Sequence, residues 1–261
     1  MQLVDSHCHL NFPELFGNLD FYLEEMKKNE VAYALCVSTR PDNLDVIVQL
    51  ANSHPHLFAS VGIHPDEKLS DVVIDEPYLL KYVSNPKVIA IGETGLDYYH
   101  TTPEESTYQH ERFIVHINVA RQSGLPLIIH TRNSIEDTVR FLDEYDASGV
   151  GGVMHCFTEN TESARKCLDL GFYISISGVV TFKNATQVQE MAQYVPLDRL
   201  LVETDSPFLA PVPFRGKTNH PALVRNTAQY LADLKGMSLA SLAEVTTNNF
   251  FNLFKKATRL I

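Results

Sequence analysis

Short runs of aliphatic and β-branched residues alternate along this chain with longer stretches of helical periodicity, and that alternation restricts the fold more than any other feature. The strand candidates are Leu3–Asp5, Ala32–Val37, Phe58–Val61, Val88–Ile91, Leu125–Ile129, Gly152–Met154, Tyr173–Ile176 and Leu200–Val202. Between them fall helix candidates at Leu19–Asn29, Pro41–Ser53, Tyr78–Val83, Glu105–Ser123, Ser134–Tyr145, Glu162–Leu170 and Ala185–Tyr194, and Pro221–Lys235 and Leu239–Phe254 follow the last strand. Parallel strands covered on both faces read as unbroken apolar runs, as Leu125–Ile129 and Leu200–Val202 do. Gly124 marks the end of one helix, Pro41 the start of another, and Ser238, with Ser241 rather than an acid three residues on, is a partial N-cap. Eight strands alternating with helices in 261 residues predict an α/β chain folded as a (β/α)8 TIM barrel, with a doubly wound open sheet as the competing architecture. No repeat, low-complexity stretch or Pro/Gly-rich linker divides the chain, so one domain over residues 1–261 is expected.

Composition adds exclusions. With 44% hydrophobic and 20% charged residues the chain is of ordinary globular character. Its formal net charge of −11 argues against a large non-specific nucleic-acid footprint, although bound metals can supply positive charge at a small site. The four cysteines, Cys8, Cys36, Cys156 and Cys167, form no CxxC pair and no disulfide framework, and Cys8 and Cys156 are expected as small buried filler. The start, MQLVDSHCHL, lacks the basic and apolar regions of a signal peptide, and no apolar run reaches membrane-spanning length. A cytoplasmic protein without membrane contact is expected.

Barrel enzymes keep their chemistry at the C-terminal ends of the strands, and there this sequence places an unusual set of side chains. Strand one runs into His7-Cys8-His9, whose imidazoles, two residues apart on extended backbone, point the same way. Strand four runs into Glu93, strand five into His130, strand six into His155 and strand eight into Asp205. A single histidine after a strand is usually structural; four histidines and two acids gathered at one end of a barrel would be costly to bury without a cation. Mixed imidazole and carboxylate donors suit Zn, Mn, Fe, Co or Ni better than Ca. Six ligands, His7, His9, Glu93, His130, His155 and Asp205, exceed one ordinary zinc site, so two ions sharing a bridging carboxylate are expected, with Glu93, placed mid-barrel, as the bridge. Asp205 is the candidate general base for a water made acidic there.

In order along the chain stand VDSHCHL, GIHP, GETGLDYY, IIHTR, GGVMHCFT, GFYISISGVVTFKNA and LLVETDSPFLAPVPFRGKTNHP, from Val4 to Pro221. Together they resemble the TatD family of metal-dependent deoxyribonucleases within the amidohydrolase-like barrels, and most closely its branch of uncharacterised hydrolases with an APVPxRGK segment. The resemblance covers essentially the whole chain. It implies one metal group of His7, His9, Glu93 and Asp205, a second of Glu93, His130 and His155, and Asp205 as the catalytic carboxylate. It implies two divalent ions, Mg, Mn, Zn or Ni. Of the other residues in these motifs, His64 either meets substrate and its water or is structural, and Arg132 either grips a phosphate or pairs with the next helix. Glu203 either faces the metals or orients His7, and Arg215 and Lys217 either bind phosphate or lie on a solvated loop. Phe214 replaces the histidine, and His220 the Glu or Gln, that relatives often carry there, which puts substrate contacts rather than metal binding in question. His54, His56, His100, His110 and His116 are expected on the surface.

The resemblance implies hydrolysis of DNA phosphodiesters, exonuclease-like, with Arg215 stabilising phosphate charge. Two alternatives stand beside it: a metal-dependent hydrolase of a carbonyl substrate such as an aminoacyl-tRNA ester or an amide, and a non-catalytic metal-binding scaffold. Tyr98, Tyr99 and Phe208 offer stacking near the site, but there is no basic stripe, which favours single-stranded DNA or ends over long duplex. A monomer is expected.

Overall fold

The computed structural model describes residues 1–68 and 72–260. Eight parallel strands lie in sequence order: β1 (Leu3–Cys8), β2 (Val31–Cys36), β3 (Leu57–Val61), β4 (Val88–Asp97), β5 (Leu127–Arg132), β6 (Gly152–Met154), β7 (Tyr173–Ile176) and β8 (Leu200–Val202). A bridge between Cys8 and Ser206, with Asp205 N–H donating to His7 O at 2.9 Å and His9 N–H to Ser206 O at 2.8 Å, brings the last strand to the first. The chain is therefore a (β/α)8 TIM barrel. Its helices are α1 (Pro13–Phe16), α2 (Leu19–Lys28), α3 (Leu44–Ser53), α4 (Glu76–Val83), α5 (Thr107–Ser123), α6 (Ile135–Glu144), α7 (Thr161–Asp169), α8 (Thr186–Tyr194), α9 (Val224–Leu234) and α10 (Leu239–Leu253).

Local chemistry sets several ends. The Asp75 carboxylate caps α4 by accepting from Tyr78 N–H at 2.9 Å, Asn160 caps α7 through Ser163 N–H, and Ser238 caps α10 through Ser241 N–H. Residues 41–43 and 221–223 form tight 3-10 turns rather than the first turns of α3 and α9, so both proline-led helices begin later than periodicity alone indicates. The fifth strand starts at Leu127 because Pro126 has no N–H for the ladder; its carbonyl still accepts from Ile91 N–H at 3.0 Å. The fourth strand runs six residues past Ile91, to Asp97, and so carries both Glu93 and Asp97.

Strand residues divide between two packed clusters, as alternation requires. Leu57, Ala59, Val61, Leu127 and Ile129 pack with the surrounding helices, while Val4, Leu35, Phe58, Ile89, Ile128, Val153 and Leu201 pack with one another and with Phe250 and Phe254 near the end of α10. Apolar packing thus fills one part of the barrel, and the polar groups gather where the strands end. Cys8 is buried filler as expected, its thiol donating to Leu35 O at 3.4 Å, whereas Cys156 is only half-buried. No helix of the described residues is long and apolar enough to cross a membrane.

Candidate metal centre

At the C-terminal mouth of the barrel, β1 delivers His7 and His9 on one side. Their Nε2 atoms stand 3.3 Å apart, and Asp205 Oδ1, on the turn after β8, lies 3.6 Å from His7 Nε2 and 3.3 Å from His9 Nε2. Glu93 rises between the barrel walls with one oxygen for each side. Its Oε2 faces His7 Nε2 at 3.3 Å and His9 Nε2 at 3.9 Å, while its Oε1 faces His155 Nε2 at 2.9 Å and His130 Nδ1 at 3.1 Å. The donor atoms fall into three groups, the first two sharing His7: His7, His9 and Asp205; His7, Glu93 and His155; and His64, Asp97 and His130. The expected halves are thus less cleanly divided than the sequence suggests, because His155 groups with His7 and Glu93, and His130 with His64 and Asp97. His130 stands as near to His64 and Asp97 as to its expected partners.

The backbone that presents Glu93 needs glycine at two places. Gly92 has φ of 142°, outside the range of ordinary L-residues, and Gly62 of the neighbouring strand end lies so close that a Cβ there would overlap the Gly92 backbone. Glu93 N–H then donates to Ser38 O at 3.1 Å, which fixes the carboxylate's root to the end of β2.

The far nitrogens of three histidines are held from behind, as second partners of metal-binding imidazoles usually are. His9 Nδ1 meets Val37 O at 2.9 Å, His130 Nε2 meets Asp97 Oδ2 at 2.9 Å and His155 Nδ1 meets Glu203 Oε1 at 3.2 Å. Glu203 thus orients His155 and not His7, since it lies opposite the sixth strand's end. Asp97 was missing from the sequence-derived set; the Gly-Leu-Asp that follows Glu93 could have pointed to it, because Glu93 and Asp97 sit an even number of residues apart on β4.

Electrostatics favour charged carboxylates here. Burial pushes the Asp205 carboxyl up, but hydrogen bonding from His9 and the fields of His155 and His7 outweigh it and hold it below the usual range. Glu93 is likewise held well below its ordinary value: burial opposes ionisation, and His155, His130 and His7 overcome it. His155 is raised well above its usual value, since Glu93 and Glu203 outweigh its burial.

The donor set fits divalent metal. Four ligands about 2.0–2.1 Å from a tetrahedral ion stand about 3.3 Å from one another; the His7–His9, His7–Glu93 and His9–Asp205 pairs have that spacing, and His7–Asp205 at 3.6 Å and His9–Glu93 at 3.9 Å are slightly wider. Without a cation, facing imidazole nitrogens and buried carboxylates at such distances would need several shared protons.

The remaining candidates are spread more widely. His64 lines the same cavity, its Nδ1 accepting from Asp66 N–H at 3.1 Å and its Nε2 lying 3.6 Å from Glu93 Oε1. Burial and the neighbouring His130 push its pKa down to about 4. Arg132 does not pair with the following helix: its guanidinium lies 3.5 Å over the Tyr99 ring. Arg215 stacks on Phe182 at 4.4 Å and Lys217 sits over Phe214 at 5.8 Å, both on the exposed loop after β8 and off the cavity wall. Tyr98 is half-buried against the core and off the cavity wall, its hydroxyl donating to Asp137 at 2.8 Å and meeting His110 Nε2. Tyr99 and Phe208 are exposed, and Phe12, stacked on His9 at 4.9 Å, joins Phe208 on the cavity wall. His116, expected on the surface, is fully buried. It occupies the inward face of α5 with Phe113, Ile117 and Ala120, at helical spacing. His54, His56 and His110 are half-buried, and His100 is exposed.

Comparison with known proteins points to metal-dependent hydrolases. The sequence pattern of the TatD related DNases matches residues 4–255. YcfH of Escherichia coli strain K12, named an uncharacterized metal-dependent hydrolase, is 47% identical over 257 residues, 97% of this chain and 96% of its own. YabD of Bacillus subtilis strain 168, named likewise, is 39% identical over 253 residues, covering 97% of this chain and 99% of its own. Among solved structures, YJJV, a TatD homolog from E. coli K12, superposes with a TM-score of 0.90 at 28% identity, covering 97% of this chain and 98% of that one.

Proposed function

Because the chain belongs to the TatD family of metal-dependent hydrolases, we propose that it is a deoxyribonuclease that removes nucleotides from single-stranded DNA or DNA ends. The observation that carries this reading is Glu93, whose two oxygens face separate imidazole groups and so suit a pair of ions, the arrangement used for in-line displacement at phosphorus. His7, His9, Asp205 and Glu93 Oε2 would hold one ion, and Glu93 Oε1, His130 and His155 the other. Bound ions would make a water acidic and offset charge on the attacked phosphate. Asp205, the more open of the two central carboxylates at 16% side-chain exposure against 3% for Glu93, lines the cavity and would take the proton of such a water. Asp97 and Glu203 hold His130 and His155 in register. Phe12 and Phe208 offer faces to a terminal base. A cavity of about 340 Å³ suits one nucleotide rather than a length of duplex. The four free cysteines fit a reducing cytoplasm, and the protein acts there as a monomer.

A second reading, hydrolysis of an aminoacyl ester or amide, is favoured by Asp66 and Glu67, which stand on the same cavity wall and could receive a substrate ammonium. Protein loaded with Mg, Mn or Zn should release mononucleotides from single-stranded oligonucleotides, and Asp205→Asn should lose that activity while keeping its fold. Inert oligonucleotides together with turnover of aminoacyl esters would reject the nuclease reading in favour of the second.

A further inference from the structure

Arg40 is the one lysine or arginine that lines the metal cavity among the described residues. The cations expected to meet phosphate lie elsewhere: Arg132 over Tyr99, Arg215 over Phe182 and Lys217 over Phe214. Its position on the loop after β2 is tightly set. Ser38 O accepts from Glu93 N–H at 3.1 Å, Thr39 O accepts from His64 N–H at 2.8 Å, and the Arg40 N–H donates to Asn43 Oδ1 at 3.3 Å. The two residues before Arg40 are thereby tied to the segments that present Glu93 and His64.

Its side chain is much less constrained. Nε lies 3.2 Å from Asp42 Oδ1 and one terminal nitrogen 3.2 Å from Glu67 Oε1, with Arg40 52% and Asp42 71% exposed. Ion pairs this open are weak and exchange readily for a better anion. Charge supplies the reason for exchange. Glu93, Asp97, Glu203 and Asp205 gather around the metal positions, so two divalent ions would do little more than neutralise them. Asp66 and Glu67 add negative charge to the wall. A further cation would therefore add materially to whatever attraction bound ions exert on an incoming phosphate. Beside Arg40 stand the Thr39 hydroxyl and His64, whose Nδ1 accepts from Asp66 and leaves Nε2 as the protonated nitrogen facing the cavity.

We propose that Arg40 is the phosphate-gripping residue of this site, leaving Asp42 and Glu67 for the non-bridging oxygens of a substrate phosphate. The inference rests on the phosphodiester reading for its biological meaning, but binding of the anion can be tested separately. The planar guanidinium suits two oxygens of one phosphate in a way a lysine cannot reproduce.

The test uses inorganic phosphate as probe, titrated calorimetrically into the metal-loaded protein, with metal content measured in every variant. Arg40→Gln should weaken phosphate binding roughly tenfold or more with metal content unchanged, and Arg40→Lys should recover only part of the loss. Glu67→Gln, which releases Arg40 and removes a competing charge, should tighten it. Equal phosphate binding by wild type and Arg40→Gln at full metal content, or no effect of Glu67→Gln in the stated direction, would overturn the inference. Loss of phosphate binding in Arg40→Gln while the wild type cleaves no oligonucleotide would leave the anion site standing and sink the nuclease reading instead.

Discussion

Acidification should destabilise this protein through one buried histidine, and the effect can be worked from its contacts. On α5, His116 Nε2 accepts from Ile63 N–H at 3.1 Å, and its Nδ1 donates to Arg112 O at 2.7 Å. A second proton would have to enter at Nε2, against the Ile63 N–H, in a site without solvent. Burial, aided by the charge of Arg112, accordingly pushes the pKa down to about 4. The unfolded chain binds a proton at this residue near pH 6.5, as free histidine does. Between pH 6.5 and 4 the unfolded state is therefore the one that takes up the proton. The contribution is complete above pH 6.5 and is lost as pH falls towards 4. At pH 5 the loss amounts to about 2 kcal/mol. Urea unfolding of wild type and His116→Gln at pH 7.5 and pH 5 isolates the term, because other titrating groups are shared. The glutamine keeps an oxygen for the Ile63 N–H and does not titrate. The variant should start less stable at pH 7.5 and lose about 2 kcal/mol less on acidification. Parallel losses in the two proteins would refute the assignment of a neutral buried imidazole.

Two further substitutions address how the centre is held. Asp97→Asn keeps an oxygen for Tyr99 N–H, now at 2.9 Å, but removes the negative partner of His130, and should weaken metal binding roughly 10–100-fold, read by chelator competition. Unchanged affinity would show that Asp97 serves only the Tyr99 turn. Gly62→Ala places a methyl against the Gly92 backbone and should cost about 1–3 kcal/mol in denaturant melts. It should also lower metal content, because Gly92 carries Glu93; a variant of normal stability and metal content would contradict the close approach.

What the sequence made legible was governed by short-range rules. Alternation of apolar runs and helical stretches located every strand, because buried parallel strands have few other ways to be written. The ends were less visible: β4 runs on to Asp97 through Gly92, where no apolar pattern marks it. Position at a strand end was enough to gather His7, His9, Glu93, His130, His155 and Asp205, since the barrel itself brings such ends together. It was not enough for groups set by tertiary contact. Glu203 turned out to face His155, Arg215 and Lys217 to lie off the cavity wall, and Arg40 to line it, because those outcomes depend on loop paths rather than periodicity. His116 was misjudged although its spacing from Phe113, Ile117 and Ala120 placed it on the buried face of α5; a polar residue on an apolar stripe is easily read as an interruption.

Anomalous diffraction from crystals grown with Mn or Zn tests most directly whether Glu93 is shared by a pair of ions. Two anomalous peaks are predicted per chain, one among His7, His9 and Asp205 and one beside His130 and His155, with a Glu93 oxygen facing each. A single peak, or a second peak that Glu93 does not touch, would contradict the account.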